Sequence, residues 1–151
     1  MIDLLGSYFQ DASITFSRFN PLTCKHESVC SSGYDQRMLD FLNGTFINQD
    51  EHMVFLRSSK LTYLEWNSLP ARADPAGWQG GKLTYLEGDP LPEPYHESPD
   101  EKKYFIPRGY QGGATQLLFS SDCQYTGALH INTKSPDSIN QEGRRLISHS
   151  A

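Results

Sequence analysis

The stretch Pro107 to Thr133, PRGYQGGATQLLFSSDCQYTGALHINT, constrains the chain most, because it reads as two strands of a hairpin reached through a glycine-rich turn. Alternation puts Thr115, Leu117 and Phe119 on one face of the first strand, and Tyr125, Gly127, Leu129 and Ile131 on one face of the second. Ala114, Leu118 and Ala128 make the opposite faces small or apolar too. The hairpin is therefore expected at the centre of a sheet covered by helices on both sides. Such a sheet can enclose a cavity against one of its faces.

A chain of 151 residues fits one domain. A domain of this size hides roughly 70% of the surface its unfolded chain exposes, enough for a core without staples. The net charge of −5 and the lack of any basic cluster beyond Lys102-Lys103 and Arg144-Arg145 argue against nucleic-acid binding, which needs grouped Lys and Arg to displace counterions. No apolar run approaches the roughly 20 residues of a membrane span. The N-terminal MIDLLGSYFQDAS has Leu4, Leu5, Tyr8 and Phe9 at helical spacing, without a leading cation or a cleavage site. It reads as a short docking helix, and a cytoplasmic location is expected. Three cysteines, an odd number, do not suggest a disulfide framework. Cys24 and Cys30 on one continuous strand would lie roughly 20 Å apart, too far to bridge unless the chain turns between them.

Along the chain, Ala12 to Phe19 and Leu22 to Cys30 read as a strand pair joined at Asn20-Pro21. Ser31 or Ser32 can cap a helix from about Gly33 to Leu42, with Tyr34, Met38, Phe41 and Leu42 on one face and Asn43-Gly44 as its stop signal. Phe46 to Leu56 reads as a second helix, with Asp50 and Glu51 suited to its first turn. The near-identical segments Lys60 to Glu65 and Lys82 to Glu87 are strand-like, but two short copies fall below the three units a solenoid needs. Pro70 to Gly81 is a loop. Gly88 to Glu101 holds four prolines, five acidic residues and no Lys or Arg, as expected of a mobile surface loop or lid. Ser135-Pro136-Asp137-Ser138 reads as a cap before a helix carrying Ile139, Leu146 and Ile147.

Each chemical candidate has a structural competitor. His130 can donate to a ligand or titrate near neutral pH, whereas a satisfied histidine packed under a helix is the default. Cys24, His26 and Cys30 have the right donors for zinc but neither a fourth partner nor a recurring short spacing. Gly109, Gly112 and Gly113, beside Arg108, can cradle a phosphate; no helix follows them, so a flexible lead into a strand explains them better. Trp66, Trp78, Tyr63, Tyr85, Tyr104 and Phe105 concentrate aromatic rings in the variable half, where a ring-lined pocket is expected, although strand periodicity needs some of them as core. Glu65 and Glu87 can form an acid and base pair only if the fold brings them together.

The order helix, two strands, helix, variable strands with a long loop, then the hairpin with Asp122-x-x-Tyr125-x-Gly127-x-Leu129-His130-x-Asn132-Thr133 and a final helix resembles GAF domains. More narrowly it is similar to the N-terminal GAF-like sensor of bacterial LuxR-type transcription regulators, where a strand ending in Trp precedes a Leu-Pro pair, here Trp66 with Leu69-Pro70. Asp122-Cys123 stands where that family often has Asp-Gly, and no basic recognition helix is present. The Asn-Lys-x-Phe-Asp-Glu signature of cyclic-nucleotide-binding members is missing, as is a chromophore-attaching Cys beside His of the phytochrome kind.

The resemblance implies an α+β, GAF-like (profilin-like) fold: a six-stranded antiparallel sheet with helices on its faces. One domain would span 1–151, with the sheet core at 9–133, variable loops at 67–81 and 88–107, and terminal helices at 1–9 and 137–149. The function it implies is a small-molecule sensor, not an enzyme. An apolar or aromatic ligand would contact Tyr63, Trp66, Trp78, Tyr85, Tyr104, Phe105, Gln116 and His130, without cofactor or metal. The terminal helices would form a homodimer and pass the ligand's state to an effector, a DNA-binding domain outside these residues. The alternatives are a thiol-dependent reductase of the free-methionine-sulfoxide type, using Cys24, Cys30 or Cys123, and a ligand-free dimerisation module.

Overall fold

The computed structural model describes residues 2–49, 53, 54, 56, 62–65, 101–135 and 139–150. Five strands lie among these residues: β1 (Ser13–Asn20), β2 (Lys25–Ser32), β3 (Tyr63–Glu65), β4 (Gly112–Phe119) and β5 (Tyr125–Thr133). They form one sheet in the order β2-β1-β5-β4-β3, with every neighbouring pair antiparallel. The expected hairpin is β4 and β5, paired from Gly112↔Thr133 to Phe119↔Tyr125. Of the six strands expected, the second strand-like copy, Lys82 to Glu87, lies outside the described residues, as do 67–81 and 88–100.

Residues opposite each other in register share a face. Ser13, Thr15, Ser17, Thr115, Leu117, Ala128, His130 and Asn132 therefore line one face, and Ile14, Phe16, Tyr63, Glu65, Ala114, Gln116, Leu129 and Ile131 the other. Both faces of the hairpin are buried from Gly113 to Leu117 and from Gly127 to Thr133, as the doubly apolar pattern requires. Gly127 is dictated by a close approach, since a Cβ there would lie 1.9 Å from the Ser17 carbonyl oxygen of the neighbouring strand.

Helix α1 (Ile2–Tyr8) buries Leu5, and Phe9 just beyond it, but leaves Leu4 exposed. Two corrections follow in the first strand pair. The Asn20 side chain accepts from the Leu22 amide at 2.9 Å and holds Leu22 in the turn, so β2 begins at Lys25 rather than Leu22. Ser31 and Ser32 pair with Thr15 and Ile14, which keeps them in the strand instead of capping a helix. The cap of α2 (Gln36–Phe41) is Asp35, whose carboxylate accepts from the Met38 amide at 2.9 Å.

Asn43-Gly44 does not stop that helix. The Asn43 amide is engaged by Ser17 and Ser28, and the backbone widens into a π turn, Leu42–Phe46, before continuing as α3 (Ile47–Gln49). Burial of Leu42, Phe46 and Ile47, each at most 1% exposed, outweighs the local glycine signal. The described end of the 88–107 region is helical rather than loop: a π turn, Glu101–Phe105, runs into a 3-10 turn, Ile106–Arg108, closed by Gly109 in the left-handed region. Helix α4 (Gln141–Ser150) starts later than the sequence suggests, because the Asn140 side chain caps it by accepting from the Gly143 amide at 2.8 Å.

Candidate functional site

The two sheet faces differ in chemistry. Beneath α2 and the π turn lies a layer of buried polar groups that satisfy one another. Tyr110 and Ser13 share a hydrogen bond of 2.6 Å, Tyr34 donates to Asn132 at 2.6 Å, and Thr115 pairs with His130 Nδ1 at 2.9 Å. Asn43 lies between two strands, accepting from Ser17 of β1 and donating to Ser28 of β2 at 2.8 Å, while Ser28 also bonds Thr15. His130 is 1% exposed, and its ring meets Phe46 edge-on with centroids 5.6 Å apart. Burial, helped by the nearby His26, pushes its pKa down to about 3, so it is neutral at physiological pH. The satisfied-histidine reading describes its surroundings.

Beside this layer, between β2, outermost in the sheet among the described residues, and the α2 to α3 segment, runs a solvent-open groove of about 950 Å³. Ser28, Val29, Leu39, Asp40, Asn43 and Asn48 are among its lining residues. Both walls depart from regular backbone. The β1–β2 register shifts so that Cys30 faces Phe16 and Ser28 faces Ser17, leaving Val29 as a bulge residue that is 67% exposed. Across the groove stands the π turn. Bulges re-aim side chains and π turns favour functional sites.

The five of the eight sequence candidates that lie among the described residues do not converge. Tyr63 and Gln116 sit side by side on the α4 face, in register with each other. Tyr63 is fully buried there, and burial raises its hydroxyl well above the usual tyrosine pKa. His130 lies on the opposite face. Phe105 packs against Phe46 and Phe41 in the core, and Tyr104 stacks on Phe41 at 3.7 Å with the Lys103 ammonium 5.3 Å from its ring centroid. Trp66, Trp78 and Tyr85 lie outside the described residues, as does Glu87. Tyr63 and Phe105 belong to the core and Tyr104 packs against it, and the groove wall is instead polar. Asn43 was missed because it reads as a helix stop. The signal available was its place directly after the buried pair Phe41-Leu42, where a neutral amide faces the same side as the core.

Other candidate chemistries are also placed. Glu65 is bound by Arg144 of α4, Nε to Oε2 at 2.6 Å and Nη2 to Oε1 at 2.9 Å. Arg108 does not stand free for a phosphate: it forks onto Asp35 at 2.7 and 3.3 Å and donates to the Tyr104 carbonyl. That pairing lowers the Asp35 pKa. Cys24 is in the turn with φ 56°, not on the strand face with His26, and His26 bonds Tyr125 at 2.8 Å. All three cysteines are free and exposed. Cys123, φ 63°, takes the left-handed turn position where glycine is expected. Among the described residues no three His, Cys, Asp or Glu side chains cluster as a metal site, and no helix is long and apolar enough to cross a membrane.

No family model matches the chain, and no curated protein matches it. Among solved structures it is similar to the chromophore-binding domain of Stigmatella aurantiaca phytochrome P1, at 11% identity and a TM-score of 0.50, covering 98% of this chain and 49% of that one. The chromophore-binding domain of the bacteriophytochrome RpBphP3 from R. palustris matches at 8% identity and a TM-score of 0.48, covering 97% and 50%. The chain thus spans about half the length of each. Phytochrome chromophore-binding domains contain GAF domains, and the fold of this chain is GAF-like.

Proposed function

We propose that this chain is a sensory regulatory domain that binds a small molecule in the groove between β2 and the α2 to α3 segment and reports its presence through α1 and α4. The ligand has an apolar or aromatic body and hydrogen-bonding groups that meet the amides and hydroxyls of the groove. The domain works as a homodimer joined through its terminal helices, and its effector is a DNA-binding domain, as in the LuxR-type arrangement.

The observation that carries this reading is the division of labour across the sheet. Irregular backbone and a polar groove lie on one side, and the two terminal helices are joined on the other, where Tyr8 donates to Asn140 at 3.0 Å. Asn43 ties the groove to β1 through Ser17, and β1 pairs with β5, so a ligand that favours one setting of the π turn acts on the strands at the centre of the sheet. Only a difference in affinity between two settings moves the equilibrium.

Native mass spectrometry of the freshly purified chain is expected to retain a small molecule. The retained compound, added back at 100 times its Kd, should stabilise the fold by about 2.7 kcal/mol. Val29→Trp fills the groove from an exposed position and should abolish retention while leaving the melting temperature of the ligand-free chain unchanged. A chain that retains nothing and is not stabilised by any of a panel of aromatic and apolar metabolites, or a Val29→Trp variant that binds as well as the parent, overturns the proposal.

A further inference from the structure

The pair Glu65–Arg144 joins the shortest described strand to the last helix. Glu65 closes β3, a three-residue strand that is outermost among the described residues and pairs with β4, and it is 7% exposed. Arg144 is the fourth residue of α4, with its side chain 19% exposed. Both carboxylate oxygens are taken by the guanidinium, the bidentate geometry that makes such pairs strong and directional. The contrast with Arg18–Glu27 is instructive: that pair spans 3.6 Å with side chains 66% and 59% exposed, and ion pairs of that kind contribute little.

The rest of the α4 interface is not saturated. Ile139 and Ile147 are buried, but Ser148 Oγ on the helix and Gln116 Oε1 on the sheet face that carries Glu65 are buried without a hydrogen-bond partner among the described residues. Gln116 spends its amide on the carbonyls of Thr62 and Leu117, which fastens the start of β3 and leaves the oxygen over. Unpartnered buried polar atoms are costly, and solvent relieves that cost when the helix lifts. Docking of α4 therefore leans on the charged fork together with the Tyr8–Asn140 bond and the buried Ile139 and Ile147.

We propose that Glu65 and Arg144 make β3 and α4 a single releasable unit, in which undocking of α4 frees β3 and displacement of β3 undocks α4. A buried carboxylate stripped of its guanidinium is strongly disfavoured, so the pair stays whole or both partners go to water. Coupling of this kind is reciprocal. The inference rests on the sensory reading only for what α4 reports; the coupling itself is tested without ligand, so an empty groove leaves it standing.

Hydrogen exchange read by mass spectrometry on the full chain tests it. Glu65→Gln is expected to speed exchange at least tenfold both in 141–150 and in 62–65, with less than a twofold change in 112–133. Arg144→Lys, which keeps the charge but loses the fork, should give a smaller change in the same two segments. The exchanged pair Glu65→Arg with Arg144→Glu should recover most of the protection. If 141–150 loosens while 62–65 stays protected, or if neither segment changes, the coupling is wrong. Uniform acceleration that includes 112–133 would show a pair that merely stabilises the whole domain, and would overturn it as well.

Discussion

Burial, helped by the nearby His26, holds His130 neutral, and that has a pH signature. Its folded pKa, about 3, lies below the ordinary histidine value of 6.5, so the unfolded chain takes up the proton first. The stability it contributes is intact above 6.5 and is lost as pH falls from 6.5 toward 3. Between pH 7 and pH 5 the loss should be about 2 kcal/mol, from a slope of about 1.4 kcal/mol per pH unit. Urea unfolding of the parent and of His130→Gln at both pH values checks this. The variant starts less stable, because it disturbs a buried site, yet should lose about 2 kcal/mol less on acidification. Equal losses would show that other groups set the acid sensitivity.

The element with the clearest single anchor is α2. Asp35 caps it through the Met38 amide and at the same time receives the Arg108 fork, so one carboxylate ties the helix start to the 3-10 turn that leads into β4. Losing an N-cap costs about 1 kcal/mol. The Arg108 pair adds less than that, because the Asp35 side chain is 54% exposed and solvent screens it. Asp35→Ala should therefore lower the melting temperature by roughly 2–6 °C, at about 2–4 °C per kcal/mol for a domain of this length. Asp35→Asn keeps most of the cap and should lose less. Because Arg108 holds the Asp35 pKa low, the pair's contribution is present above the ordinary carboxylate range and fades on acidification below it. A thermal melt of the three proteins at neutral pH decides the matter; an Asp35→Ala melt identical to the parent's would mean that burial of Met38 and Phe41 fixes the helix without help.

At the scale of the molecule, α1 is the cover on which the terminal-helix arrangement depends. It buries Leu5, with Phe9 just beyond it, its Tyr8 hydroxyl reaches the α4 cap Asn140 and Glu142 within α4, and the Phe9 ring lies so near Gly143 that a Cβ there would sit 2.8 Å from it. Leu4, meanwhile, is 55% exposed on the same helix. Removal of residues 1–9 is expected to lower the melting temperature and, if the helices join two copies as proposed, to convert a dimer into a monomer. Sedimentation velocity of the truncated and complete chains measures this, and an unchanged sedimentation coefficient would exclude α1 from the dimer contact.

The alternation of Thr115 to Ile131 was enough to place a doubly covered hairpin at the centre of a sheet, because period-2 burial is a local property of the strand. The terminal helices were legible from apolar residues at helical spacing, and the β1–β2 pair from the Asn20-Pro21 turn between two strand-like runs. Where local signals compete with long-range partners, only the tertiary structure decided. Asn43-Gly44 reads as a stop, yet Ser17 and Ser28 draw Asn43 into the sheet and the helix widens and runs on. Ser31 and Ser32 read as caps, yet pairing with β1 claims them. Glu65 reads as a solvated strand residue until Arg144, 79 positions away, closes on it. A sequence states which backbone each segment prefers; which side chains meet across the sheet depends on the register between strands, and no single segment carries that information.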